Sequence, residues 1–204
     1  MKNVVLVGYG KMGSSIAKGW MLKSLNFTFY VVEKEASLRS IAVSDGIKSY
    51  ENFRELSKFV DLETLDIIFL AVKPQQMSET IKVFSRIDFS NTLFISIAAG
   101  LSFDWFQSTL NKDIKIIRAM PNLPASVGFG LTGYCQTSNV NEIETQDTQD
   151  LLSAFGKAVY LESEALIDVV TAISGSGPAY VFYLVEALSE IGFNQGLSRN
   201  DAKT

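Results

Sequence analysis

Gly8-Tyr9-Gly10-Lys11-Met12-Gly13 follows the apolar run at 4–7 and opens an amphipathic stretch, where a G-x-G-x-x-G turn binds a dinucleotide. The first glycine permits the tight turn, the second lets a pyrophosphate approach the backbone, and the third lets helix and strand pack closely. The helix start adds unpaired N–H groups and the positive end of its dipole. Glu33 stands twenty residues beyond Gly13, at the end of a second apolar run, where a carboxylate accepts hydrogen bonds from an adenosine ribose diol. That charge disfavours a ribose 2′-phosphate, whereas Lys34 and Arg39 favour one, so NADH and NADPH both remain candidates. The chemistry implied is hydride transfer, in which the coenzyme carries the reaction and the protein supplies binding and orientation.

Other chemistries are excluded by what is missing. The chain has no histidine, so it holds no Ser-His-Asp triad, no Cys-His pair, no HExxH zinc site and no histidine proton donor. Its single cysteine, Cys135, makes neither an internal disulfide nor a CxxC knuckle, and a lone thiol fits a reducing compartment. No metal site and no catalytic residue are assigned. The net charge of −4 leaves no broad basic surface for a nucleic acid. The longest uncharged stretch, 169–185, contains Gly175, Gly177 and Pro178 and does not read as a membrane span. The first apolar run, 4–7, breaks at Gly8, Gly10 and Lys11 and lacks the longer apolar stretch and cleavage site of a signal peptide, so it reads as a first strand and a cytoplasmic location is the expectation.

These residues need a scaffold, and the hydrophobic periodicity supplies one. Strands are predicted at 3–7, 27–32, 66–72, 92–98 and 114–119, alternating with helices at 12–23, 35–44, 52–59, 74–86 and 102–110. Near-continuous apolar strands separated by helices imply a doubly wound, mostly parallel α/β sheet of Rossmann type. Beyond Pro121 and Pro124 the spacing predicts a strand at 128–134, a polar loop leading into a helix across 139–154, and an edge strand at 157–161. From Ser163 the chain reads as helical to about Gly192, interrupted at 174–178, with Tyr180 a core residue. The division expected is a dinucleotide-binding domain at 1–163 and the start of an all-helical dimerisation and substrate domain at 164–204. Ser198 and Asp201 have the spacing of an N-cap and its acidic third position, yet only three residues follow, so the sequence reads as cut at the start of a helix.

Four further segments fall at predicted strand ends or farther along: Ala71-Val72-Lys73-Pro74-Gln75, Ser96-Ile97-Ala98-Ala99-Gly100, Arg118-Ala119-Met120-Pro121-Asn122 and Ser174-Gly175-Ser176-Gly177-Pro178-Ala179-Tyr180. Together with the glycine turn, and in this order, they resemble the pyrroline-5-carboxylate reductases, which share GxGxMG, AVKP, AAG, RxMPN and SGSGPAY elements. The resemblance covers essentially the whole chain. It implies reduction of the cyclic imine 1-pyrroline-5-carboxylate to L-proline by NADPH or NADH, the last step of proline biosynthesis. It also implies self-association through the C-terminal helices.

Carried over by position, Gly8, Gly10, Lys11, Met12 and Gly13 would hold the pyrophosphate, and Glu33, Lys34 and Asn52 the adenosine end. Ala71, Val72, Lys73, Pro74, Ala98, Ala99, Gly100 and Asn122 would line the nicotinamide end. Met120, Pro121, Glu164, Ser174, Gly175, Ser176 and Gly177 would form the substrate side, with the backbone of 174–177 as an anion nest beside a helix start at Pro178. The family's later glycine-rich stretch, with a threonine that bonds the imine nitrogen, has no counterpart in this sequence. Two alternatives remain at this level: a β-hydroxyacid-type dehydrogenase, disfavoured because 178–192 contains no lysine, and a non-catalytic NAD(P)-binding module.

Overall fold

A computed structural model describes residues 1–110 and 113–204. Eight strands form one sheet: β1 (Lys2–Val7), β2 (Phe27–Val32), β3 (Lys48–Tyr50), β4 (Ile67–Leu70), β5 (Leu93–Ser96), β6 (Lys115–Met120), β7 (Gly130–Gln136) and β8 (Gly156–Tyr160), in the spatial order β3-β2-β1-β4-β5-β6-β7-β8. All neighbours pair parallel except β6 and β7, which run antiparallel, so β7 and β8 form a reversed edge. The strand order reverses between β1 and β4, and in an open α/β sheet the crevice at such a switch point receives the ligand.

The strands are buried on both faces. In β4, Ile67 and Phe69 point to one side with Ile16, Trp20, Leu151 and Phe155, while Ile68 and Leu70 point to the other with Phe53, Met77, Phe84, Phe94 and Phe106. That two-sided burial makes the runs continuously apolar rather than alternating. Helices α1 (Lys11–Leu22), α2 (Ala36–Ser44), α3 (Phe53–Leu56), α4 (Pro74–Ile81), α5 (Phe103–Leu110) and α6 (Glu142–Ser153) cover them. The expected elements up to residue 161 are present with ends shifted by a few residues, and the helix expected over 74–86 tightens to 3₁₀ geometry over Lys82–Arg86. The strand β3 was not foreseen. Its Lys-Ser-Tyr sequence has no apolar run, because it pairs only with β2 at the sheet edge.

The C-terminal segment corrects two expectations. Residues 174–178 do not interrupt the helix: α7 (Leu166–Val170) passes through a π-helical turn (Thr171–Gly175) into α8 (Gly177–Asn194). The Ser176 N–H donates to the Thr171 carbonyl at 2.9 Å, the five-residue spacing of a π turn, and this lets Gly175-Ser176-Gly177-Pro178 continue the helix. Tyr180 is not a core residue; it is 65% exposed, and no residue of α8 is buried. Helix α8 is rich in exposed apolar side chains, Val181, Phe182, Tyr183, Leu184 and Leu188 among them, and carries two exposed carboxylates, Glu186 and Glu190. Beyond it, the Ser198 hydroxyl accepts from the Asp201 N–H, and Asp201–Lys203 form a 3₁₀ turn. None of the helices described is long and apolar enough to cross a membrane.

Gly13 fixes how α1 crosses β1. A Cβ there would lie 2.3 Å from the Gly8 carbonyl oxygen, closer than any real contact. Gly13→Ala is therefore expected to lower stability by about 1–3 kcal/mol through overpacking, read as a lower urea midpoint at unchanged slope.

Candidate functional site

The crevice at the switch point is built by glycine. Gly8 ends β1 with φ +97°, a conformation costly to residues bearing a Cβ, and a Cβ on it would meet the Ala71 carbonyl at 2.9 Å. The turn after β1 is thus pressed against the turn after β4. Gly10 is different: its φ is −65° and a Cβ on it would meet nothing within 4 Å. The protein's own packing gives no reason for glycine at this position, whereas a ligand lying on the backbone does.

Gly10 is also the N-cap of α1 and offers no side-chain cap, and α4, whose N-cap is Lys73, lacks one as well. By contrast, α3 and α6 are capped by the Asn52 and Asn141 side chains. Helix α2 and the two helices after residue 163 also lack a side-chain cap, so it is the position of the α1 and α4 starts at the crevice, with first amides free of side-chain partners, that suits an anionic ligand. The residues therefore fit a dinucleotide. Lys11 is exposed and Met12 half-buried beside this opening.

On the β2 side, the Glu33 carboxylate is fixed by main chain. Its Oε2 accepts from the Tyr9 N–H at 2.7 Å and its Oε1 from the Glu35 N–H at 2.9 Å. Arg39 Nη1 donates to the carbonyls of Glu33, at 2.9 Å, and Lys34, at 2.7 Å, and closes the loop. Lys34 is exposed. Asn52 follows β3 and is exposed, with its Oδ1 engaged by the Glu55 N–H.

Tyr9 was not singled out by its sequence, since the second position of the glycine motif is unrestricted. Its ring is buried and its hydroxyl donates to Asp45 at 2.8 Å, tying the turn to the end of α2. Burial, followed by that hydrogen bond and the Asp45 charge, raises the phenol pKa well above its ordinary value.

On the other side of the switch point, Ala71, Val72 and Pro74 are half-buried, Ala98 is buried, and Lys73, Ala99 and Gly100 are exposed at the ends of β4 and β5. Asn122, after β6, joins distant segments: its Nδ2 donates to the Ser174 hydroxyl at 3.1 Å and its Oδ1 accepts from the Leu131 N–H at 2.9 Å. The two most distinctive sequence segments, 118–122 and 174–180, are thereby in contact. Met120 and Pro121 are buried, and the Met120 side chain is taken up by packing against Cys135 and Ile167.

The nest expected over 174–177 is not formed, because the Ser176 N–H and hydroxyl both turn back to the Thr171 carbonyl within the π turn. Ser174, Gly175 and Gly177 are half-buried along the same helical path.

Glu164 does not stand alone. Its Oε1 accepts from Arg118 Nη1 and from the Phe103 N–H, each at 2.7 Å, so one carboxylate satisfies a buried guanidinium on β6 and the start of α5. Arg118 is 5% exposed and its Nε has no partner among the described residues. Sequence reading placed Arg118 within a motif but gave it no role; a basic residue inside the apolar run 116–120 was the available signal. Cys135 lies against this pair, and burial pushes its thiol up to about 11, Glu164 adding to the rise and Arg118 opposing it. No group of three or more metal-ligating residues occurs among the described residues. A surface hollow of about 630 Å³, lined by residues including Phe53, Arg54 and Lys82, shares no residue with the crevice.

The chain is similar to known proteins over nearly its whole length. Residues 164–204 match the family described as pyrroline-5-carboxylate reductase dimerisation, and residues 3–100 match NADP oxidoreductase, coenzyme F420-dependent. The pyrroline-5-carboxylate reductase of Pasteurella multocida is 33% identical over 203 residues, covering 99% of this chain and 74% of the relative. A solved pyrroline-5-carboxylate reductase from Coxiella burnetii superposes with a TM-score of 0.88 at 28% identity, covering 99% of this chain and 74% of that one. The Plasmodium falciparum enzyme, solved with NADP bound, gives a TM-score of 0.79 at 29% identity, covering 98% of this chain and 73% of that one.

Removing Glu164 strands a buried guanidinium. Glu164→Ala is expected to cost about 3 kcal/mol, the low end for breaking a buried pair because the Glu164 side chain is 29% exposed. Cys135 reports the same event. In the native protein at pH 8 its thiol should react with a disulfide reagent far more slowly than in urea, and Glu164→Ala should speed that reaction. Because the folded thiol's pKa is raised, its contribution to stability is complete below the unfolded value near 9 and is lost as pH rises towards 11.

Proposed function

The chain belongs to the pyrroline-5-carboxylate reductase family, and from that membership we propose how its residues divide the work of reducing 1-pyrroline-5-carboxylate to L-proline with NAD(P)H. The observation that carries this reading is Gly10: a glycine with no packing reason, at an uncapped helix start, in the crevice of a parallel sheet. Main-chain amides of 10–13 hold the pyrophosphate, and Glu33, Lys34 and Asn52 face the adenosine. Residues 71–74, 98–100 and Asn122 border the nicotinamide end. Once bound, the coenzyme supplies the hydride.

The protein's part is positioning. A protonated cyclic imine is already an electrophile, so the residues have to hold it in place and exclude water, and orientation of this kind contributes up to about 7–11 kcal/mol. No histidine is needed for that. The backbone at Met120 and Pro121, with Ser174, Gly175, Ser176 and Gly177, borders the substrate side. Glu164 acts on it indirectly, through Arg118 and the start of α5.

The exposed apolar surface of α8 lies in the segment matched by the dimerisation family, and in this reading it associates with a second copy, completing a helical domain that begins at 164. A cytoplasmic location follows for an enzyme of amino-acid biosynthesis with one free thiol.

The test is coenzyme oxidation with pyrroline-5-carboxylate, compared between the wild-type protein and Gly10→Ala. The variant should fold with an unchanged urea midpoint while its coenzyme KM rises at least about tenfold, because the new methyl occupies the space the pyrophosphate needs. Equal KM values would remove the pyrophosphate from this turn.

A further inference from the structure

We propose that Glu33 sets coenzyme choice and makes this chain prefer NADH over NADPH. The proposal rests on the reading of the crevice as a dinucleotide site and adds the discrimination that sequence alone left open.

The carboxylate does not swing freely. Its Oε2 is held by the Tyr9 N–H at 2.7 Å and its Oε1 by the Glu35 N–H at 2.9 Å, one donor from the glycine turn and one from the loop after β2. Tyr9 is itself immobilised, its ring buried and its hydroxyl bonded to Asp45. The Glu33 N–H donates to the Tyr50 carbonyl at 2.9 Å, which continues the β2–β3 pairing and fixes the backbone beneath the side chain. A carboxylate has about four acceptor positions, and these two bonds leave others for the hydroxyls of a ribose diol. A dianionic 2′-phosphate brought to the same place would face a fixed, half-buried negative charge that cannot turn away without breaking both bonds.

The cation beside this charge is committed in part. Arg39 Nη1 donates to the Glu33 and Lys34 carbonyls, so that end of the guanidinium braces the loop. Lys34 is an exposed, strongly hydrated point charge, worth little against a rigid anion nearby. The balance at the β2 end therefore favours a neutral diol.

The decisive measurement is a binding titration of the intact chain with NADH and with NADPH, read by energy transfer from Trp20 and Trp105 to the nicotinamide. NADH should bind at least about tenfold more tightly. Glu33→Gln removes the charge while keeping an acceptor for the Tyr9 N–H, and should shrink that ratio at least about fivefold; Glu33→Ser should bring it to one or below. Arg39→Leu should leave the ratio within about twofold. Tighter or equal binding of NADPH by the wild-type protein would overturn the proposal, as would a loss confined to NADPH in Arg39→Leu, which would make Arg39 a phosphate clamp. Should a Glu33 variant fail to fold by circular dichroism, the wild-type ratio and Arg39→Leu still decide. Turnover with pyrroline-5-carboxylate is scored separately. Selective NADH binding without turnover would count against the reaction assigned above and leave the coenzyme preference standing, whereas failure to bind either coenzyme would overturn both.

Discussion

The structure depends on a close approach of backbone to backbone where β1 gives way to α1. With no Cβ on Gly8 or Gly13, the helix start settles onto the strand end and against the Ala71 turn, tighter than any side chain allows. Two consequences follow from that one contact. The amides at the start of α1 point into the switch-point crevice without a side-chain cap, and the turn after β4 is pinned beside them. In the function proposed above, the ligand's phosphates take the place of the cap the helix lacks, so affinity and fold geometry share one origin.

The second half of the site is assembled by polar side chains buried in otherwise apolar surroundings. Asn122 ties the loop after β6 to Ser174, and Glu164 ties the chain after β8 to Arg118 and the start of α5. Apolar contact between α7 and the sheet is small, resting on Ile167 and Val170 with Met120 and Cys135. Hydrophobic burial alone would leave the segment after residue 163 loosely oriented, and these directional bonds set its angle instead. The cost is a buried guanidinium that relies on a single carboxylate.

Much of this was legible in the residues. Apolar runs located seven of the eight strands, and the glycine spacing located the tight turn between β1 and α1, with Glu33 following at the end of β2. What escaped was of two kinds. β3 and the π turn are set by tertiary context: a three-residue edge strand carries no periodicity, and the SGSGP run has the composition of a helix break although its amides find partners one residue farther back. The roles of Tyr9, Arg39 and Arg118 depend on which atoms meet, and no spacing rule encodes that. Tyr180, expected in the core, is exposed because the sheet and its covering helices do not reach the apolar side chains at 180–185 of α8.

The most direct test of the central claim is amide hydrogen exchange across 8–17, with and without reduced coenzyme. The account predicts that NADH slows exchange of the first amides of α1 selectively, leaving the capped start of α6 unchanged. Equal exchange at α1 in the presence and absence of saturating coenzyme would contradict it.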